Sequence, residues 1–169
     1  MHPSPHPPEM IDPSNVDYHE IARRGDTEVM EVFLRAGLDP ELRDERGYTL
    51  LMIAAYNDQP EMVDLLLSHE ADPDAPDASG NSPLMGLCFK GNVPLAERLL
   101  AAGADPDARN GAGATALMMA AMFRQADLVH LLLERGADPA ARDSRGLDAR
   151  ELAEAHGHAE IAHLLEEDA

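Results

Sequence analysis

Positive charge is scarce in this chain: 13 lysines and arginines stand against 32 acids, for a net charge of -19 at pH 7. Such an excess repels phosphate backbones and anionic membrane surfaces, so nucleic acid is excluded as the expected ligand and cationic partners are favoured. Long apolar runs are missing as well. No stretch nears the ~20 residues that span a bilayer, and residues 1–30 lack the basic start and apolar run of a secretory signal. A single cysteine, Cys88, excludes an intrachain disulfide and points to a reducing compartment or a disulfide-independent fold. These absences predict a cytoplasmic protein. There is no Gly-rich phosphate loop, nucleophile elbow or zinc-binding helix motif, so no catalytic or metal-ligating residue is assigned and no enzyme is expected. Tryptophan is absent, and three tyrosines and three phenylalanines are the only aromatic residues. Lys90 is the only lysine, and alanine is abundant; this codon bias suits a GC-rich bacterial genome.

What the chain has is repetition, and 44% apolar residues with which to build a core. Gly47, Gly80, Gly113 and Gly146 recur every 33 residues, as do Asp39-Pro40, Asp72-Pro73, Asp105-Pro106 and Asp138-Pro139. Thr49, Ser82 and Thr115 keep the same spacing, and so do Leu34, Leu67, Leu100 and Leu133. A period held without insertion means identical supersecondary units, each stacking on its neighbours to bury an apolar face it could not bury alone.

Within a unit, a first helix is expected from Thr49 to Tyr56, Ser82 to Phe89 and Thr115 to Met122. Each opens on a hydroxyl that can cap free amides, and Pro83 stands where a missing N–H costs nothing. Second helices are expected over 60–68, 93–101 and 126–134, with core stripes such as Met62, Val63, Leu66 and Leu67. Gly37, Gly103 and Gly136 follow the second helices at the left-handed closing position, where the second of the five units has Glu70. The links that follow, such as ADPDAPDASGNS, carry turn residues and should project as hairpin-like fingers.

Other residues that invite a chemical reading take a structural one. Five prolines among residues 1–13 forbid a helix there and predict a flexible tail, whose His2 and His6, with His19 beyond it, are read as solvated. His156, His158 and His163 are read as helix-end and helix-surface groups, because neighbouring units ~8–10 Å apart hold ring nitrogens too far apart to share one ion. Cys88 shares the register of Ala55 and Ala121 and is expected to be a buried, inert thiol. Met52, Met85 and Met118 share a register and are read as core filling, and the acids as solvated groups on fingers and outer faces.

The run from Gly-x-Thr/Ser-x-Leu through Ala-Ala, Leu-Leu-Leu and Gly-Ala-Asp-Pro resembles the ankyrin repeat over nearly all of residues 14–169. The resemblance implies an all-α solenoid of stacked helix-turn-helix units with hairpin-like fingers. Five units follow: a degenerate one at 14–43, full ones at 44–76, 77–109 and 110–142, and a shortened one at 143–169. This sequence departs from the family by carrying Met52, Met85, Met118 and, in the last unit, Glu151, where His is usual. The family binds other proteins on fingers and inner helices, so a non-enzymatic protein-binding module, monomeric when free, is the implied function. Phrases such as SPLMGLCFKGN and TALMMAAMFR further resemble bacterial ankyrin proteins found alongside catalases. That implies, as an alternative, an accessory role in haem supply or peroxide protection; haem is then the one cofactor in view, and otherwise none is expected. The acidic charge suggests another alternative, an inhibitor or immunity-type protein for a basic enzyme.

Positions that refuse to repeat are free for function. At the end of each first helix the register reads Arg23-Arg24, Tyr56-Asn57, Phe89-Lys90, Met122-Phe123 and Ala155-His156. Half of the six aromatics fall in this one strip, which by the resemblance lies on the concave face beside the fingers, with Arg46, Tyr48 and Asn81 as neighbours. The candidate partner-binding residues are therefore Arg24, Arg46, Tyr48, Tyr56, Asn57, Asn81, Phe89, Lys90, Met122 and Phe123.

Overall fold

The computed structural model describes residues 15–167. The expected Pro-rich tail, with His2 and His6, lies outside the described residues. Helices come in five pairs: α1 (Tyr18–Arg24) with α2 (Thr27–Arg35), α3 (Leu50–Tyr56) with α4 (Pro60–Ser68), α5 (Pro83–Lys90) with α6 (Val93–Ala101), α7 (Ala116–Met122) with α8 (Ala126–Glu134), and α9 (Ala149–Ala155) with α10 (Ala159–Glu167). The described residues contain no strand, only an isolated antiparallel bridge between Arg43 and Thr49 at the base of a finger. The chain is an all-α solenoid.

The helix starts follow from the repeated hydroxyls. Thr49 accepts from the Met52 N–H at 3.2 Å, Ser82 from Met85 at 3.4 Å and Thr115 from Met118 at 3.4 Å, and all three hydroxyl residues are buried. In the last unit Asp148 and Glu151 cap each other's backbone amides reciprocally, so the departure at Glu151 has a purpose of its own. Met52, Met85 and Met118 are fully buried, as core filling requires. So are Leu66, Leu99, Leu132 and Leu165 on the outer helices, and the apolar core runs unbroken from Ala22 to Leu165.

The inner helices α1, α3, α5, α7 and α9 lie closer to one another than the outer helices do. Small residues at Ala54, Ala55, Gly86, Cys88, Ala120 and Ala121 permit this approach, while leucines hold the outer row apart. The fingers stack by a repeated device. Asp44, Asp77, Asn110 and Asp143 each accept two backbone N–H groups across their own turn, at 2.8–3.0 Å. Glu41, Asp74 and Asp107 reach into the following unit and accept the N–H of Asp72, Asp105 and Asp138 at 2.7, 3.0 and 2.9 Å. These acids were expected only to be solvated; the structure shows them fastening unit to unit, because the Asp-Pro corner leaves an amide that no helix satisfies.

Candidate functional site

Along the concave side, the ends of α1, α3, α5 and α7 line up beside the fingers. Phe89 and Phe123 meet edge to face with centroids 4.7 Å apart and planes at 87°. Both rings face outward, with Phe89 55% and Phe123 38% exposed. Tyr48, on a finger, lies 6.0 Å from Tyr56 at the end of α3. Burial, then the neighbouring Tyr48 and Asp77, pushes the Tyr56 phenol above its ordinary pKa, so it stays a neutral hydrogen-bonding group through the physiological range.

The Tyr56 ring lies where it does because Gly86 makes room. A Cβ at Gly86 would stand 2.4 Å from Tyr56 Oη and 2.5 Å from Cζ. Glycine inside a helix costs about 0.5–1 kcal/mol relative to alanine, so this position gives up helix stability to seat a ring from the preceding unit. In the other units the same register holds Glu20, Ile53, Met119 and Leu152.

Arg23, Asp44, Arg46, Tyr48, Ile53, Tyr56, Asn57 and Phe89 enclose a cleft of about 590 Å³. The structure thus brings together five of the ten expected residues: Arg46, Tyr48, Tyr56, Asn57 and Phe89. Phe123 extends the wall through its contact with Phe89, and Met122 is half-buried against the core. Arg24 is not part of the cleft; its Nε bonds Glu20 at 2.7 Å, and Arg23, which bonds the same carboxylate, lines the cleft in its place. Lys90 spends its ammonium on the Tyr56 carbonyl and, at 3.2 Å, on Asp58, clamping adjacent units. Hydrogen bonds from Lys90 and then Asn92 hold the Asp58 carboxyl below its ordinary pKa. Asn81 is half-buried in the finger stack, donating to Asp77 at 3.2 Å and accepting from Asn110 at 2.9 Å.

Sequence reasoning missed Arg23, Asp44, Ile53 and Gly86. Gly86 was legible, since a lone glycine breaks the Ile53/Met119 register; the choice between Arg23 and Arg24 was not, since the repeat offers both. Among the described residues no carboxylate pairs with Arg46, although its own amide is held by Asp44 at 2.9 Å.

Elsewhere, groups that suggested chemistry have structural partners. Cys88 is fully buried, and burial pushes its thiol up to about 12, far from a reactive thiolate. His158 Nδ1 donates to the Ala121 carbonyl at 3.1 Å and His156 Nδ1 to Leu152 at 2.8 Å, while His163 lies 3.4 Å from Glu167. Among the described residues no three His, Cys, Asp or Glu side chains are grouped to hold an ion. No described helix is long and apolar enough to cross a membrane.

No curated protein matches the chain. A family model described as ankyrin repeats (3 copies) matches residues 18–110 and again 85–169, which together cover most of the sequence and all five helix pairs. The family's repeats are generally protein–protein interaction modules, and this chain belongs to the ankyrin-repeat family.

Proposed function

We propose that the protein is a non-enzymatic binding module that holds an extended segment of a partner protein along its concave aromatic groove. The observation that carries this reading is the exposed Phe89–Phe123 pair at the mouth of a 590 Å³ cleft in a chain with so few rings. Apolar rings held in water cost free energy unless a partner covers them, and aromatic and arginine anchors in clefts dominate binding energies. The reading needs no cofactor, and it treats the free protein as a cytoplasmic monomer. A net charge of -19 supports a second reading, in which the acidic outer face meets a basic enzyme. A catalase as partner, and with it a role in haem supply or peroxide protection, rests on the sequence resemblance alone.

Placing a photo-cross-linking phenylalanine analogue at Phe89, and separately at the exposed outer-helix residue Glu97, tests the choice in the native cell. A discrete adduct at position 89, mapping to one segment of one protein, supports the groove. An adduct at position 97 alone overturns it in favour of the acidic face.

A further inference from the structure

We infer that the partner segment held in this groove is acidic and apolar together: the carboxylate of an Asp or Glu meets the Arg46 guanidinium while a neighbouring aliphatic or aromatic side chain packs among Tyr48, Tyr56 and Phe89. The inference rests on the groove being a binding surface, and it adds the chemistry of what is bound. It runs against the net charge of -19, which alone favours a cationic partner.

Two copies of one turn carry it. Asp44-Glu45-Arg46-Gly47 and Asp143-Ser144-Arg145-Gly146 stand in the same register three periods apart. In both, the aspartate Oδ1 accepts the arginine's own N–H at 2.9 Å, and the glycine φ is 80° in one and 81° in the other, so the backbones match. The side chains do not. In the last unit the guanidinium folds back on its aspartate, Arg145 Nε and Nη2 donating to Asp143 Oδ2 at 3.0 and 2.8 Å. Arg46 makes no such bond to Asp44. Its guanidinium has no hydrogen-bond or ion-pair partner among the described residues, and it lines the 590 Å³ cleft with the aromatic walls. The same turn thus holds a spent arginine at one end of the solenoid and an unspent one in the groove.

The acids around Arg46 are engaged elsewhere. Asp44 Oδ1 accepts the Arg46 and Tyr48 amides, and Glu20 holds both Arg23 and Arg24. Asp77, on the next finger, accepts the Ser79 and Asn81 amides on Oδ1 and the Asn81 side chain on Oδ2. Glu45 is exposed and lines a neighbouring 270 Å³ cleft rather than the main one. A guanidinium fork is matched by two oxygens in one plane, which a carboxylate supplies. A phosphate suits the fork too, but its second charge meets Asp44 and Glu45 with one free arginine to offset them, so the singly charged anion is favoured. Charges more than ~8 Å away are largely screened at physiological salt, and the acids of the outer face weigh little against a pair in contact.

The rest of the cleft suits a chain passing through. Ile53 is buried in its wall and Tyr48 and Tyr56 are half-buried, so an apolar side chain placed there covers ring surface. Asn57 donates its side-chain N–H to the Ile53 carbonyl at 2.7 Å, which leaves its Oδ1 to accept a backbone N–H. Arg46 belongs to the second unit, between Arg23 of the first and Phe89 of the third. A segment spanning the cleft therefore continues past Arg46 in both directions, and the carboxylate is that of a side chain.

A bead-synthesised library of short random peptides, each amidated at its C-terminus, tests this by selection on the full chain and titration of the enriched sequences by fluorescence anisotropy. The expected sequences pair Asp or Glu with a nearby aliphatic or aromatic residue, and replacing that carboxylate by Asn or Gln weakens binding about tenfold or more. Arg46→Gln should weaken it similarly. Arg46→Glu should abolish binding and regain it for peptides carrying Lys in place of the acid, while Arg145→Glu leaves it unchanged. Enrichment of Lys or Arg beside the apolar residue, or affinity indifferent to Arg46→Glu, overturns the inference; if Phe89→Ala still weakens those peptides, the groove reading stands without it. Phosphoserine binding more tightly than Glu at the same position overturns the choice of anion. No enrichment, or equal enrichment on a chain carrying Phe89→Ala and Tyr56→Ala, overturns the inference and the groove reading together.

Discussion

Glu70 holds a conformation that its counterparts leave to glycine, and relieving it should stabilise the protein. Its φ is 65°, against 98°, 95° and 86° at Gly37, Gly103 and Gly136. The turn is the same in all four units: the Glu70 N–H donates to Leu67 at 3.1 Å, as Gly37, Gly103 and Gly136 donate to Leu34, Leu100 and Leu133 at 3.0–3.1 Å. Nothing lies within 4 Å of a Cβ built at those three glycines, so the turn has space for a side chain and only the backbone angle is at issue. Glu70 is exposed and no hydrogen bond or ion pair of its side chain offsets the cost. A left-handed L-residue costs roughly 1–2 kcal/mol, while glycine's extra freedom in the unfolded chain returns about 0.5–1 kcal/mol of that. Glu70→Gly should therefore stabilise by about 0.5–1 kcal/mol, raising the urea midpoint at an unchanged slope. Glu70→Gln separates charge from conformation and should gain less, and Gly103→Glu should lose about what Glu70→Gly gains. A neutral or harmful Glu70→Gly together with a harmless Gly103→Glu would refute the conformational argument.

Gly86→Ala should leave the melting midpoint unchanged or slightly higher, since helix propensity gains about 0.5–1 kcal/mol while the Tyr56 ring must swing out of its seat. Partner binding should fall all the same, and unaltered binding would remove Tyr56 from the site. Asp74 gives a pH test: burial, then the charges of Asp72 and Asp105, raises its carboxyl pKa despite the Asp105 amide it accepts. Its contribution is thus fully present below the unfolded carboxylate pKa of about 3.9 and is lost as pH rises through the higher folded value. Asp74→Asn keeps an acceptor for that amide, so it should match or exceed the wild-type midpoint at pH 7, with its advantage shrinking as the pH falls. Lower stability of the variant at neutral pH would show that the charge itself is needed.

The fold was legible because the features that build it recur. Thr49, Ser82 and Thr115 announce helix starts by chemistry, and α4, α6 and α8 span the residues that the apolar stripes mark. The ladder of Glu41, Asp74 and Asp107 was not legible, because acid on a finger reads as solvation until the amide of the next unit is placed beside it. Half of the candidate site came through for a related reason: rings are rare here, and the strip Tyr56, Phe89, Phe123 breaks the repeat. The side chains around it did not. Lys90 and Arg24 stand in the strip by sequence, but their direction is set by partners 32 residues away at Asp58 and four away at Glu20. Register alone carries no such information.

Partner affinity measured alongside stability for Phe89→Ala, Tyr56→Ala and Leu99→Ala tests the central claim most directly. Leu99 is fully buried, and its truncation should cost the fold about 2–5 kcal/mol. Phe89 is exposed and Tyr56 half-buried, so each truncation should cost the fold less than Leu99→Ala does. Each should nonetheless weaken the complex by about 2 kcal/mol or more, roughly thirtyfold in Kd. Affinity that survives both ring substitutions, or ring substitutions that unfold the protein as badly as Leu99→Ala, would contradict binding in the concave groove.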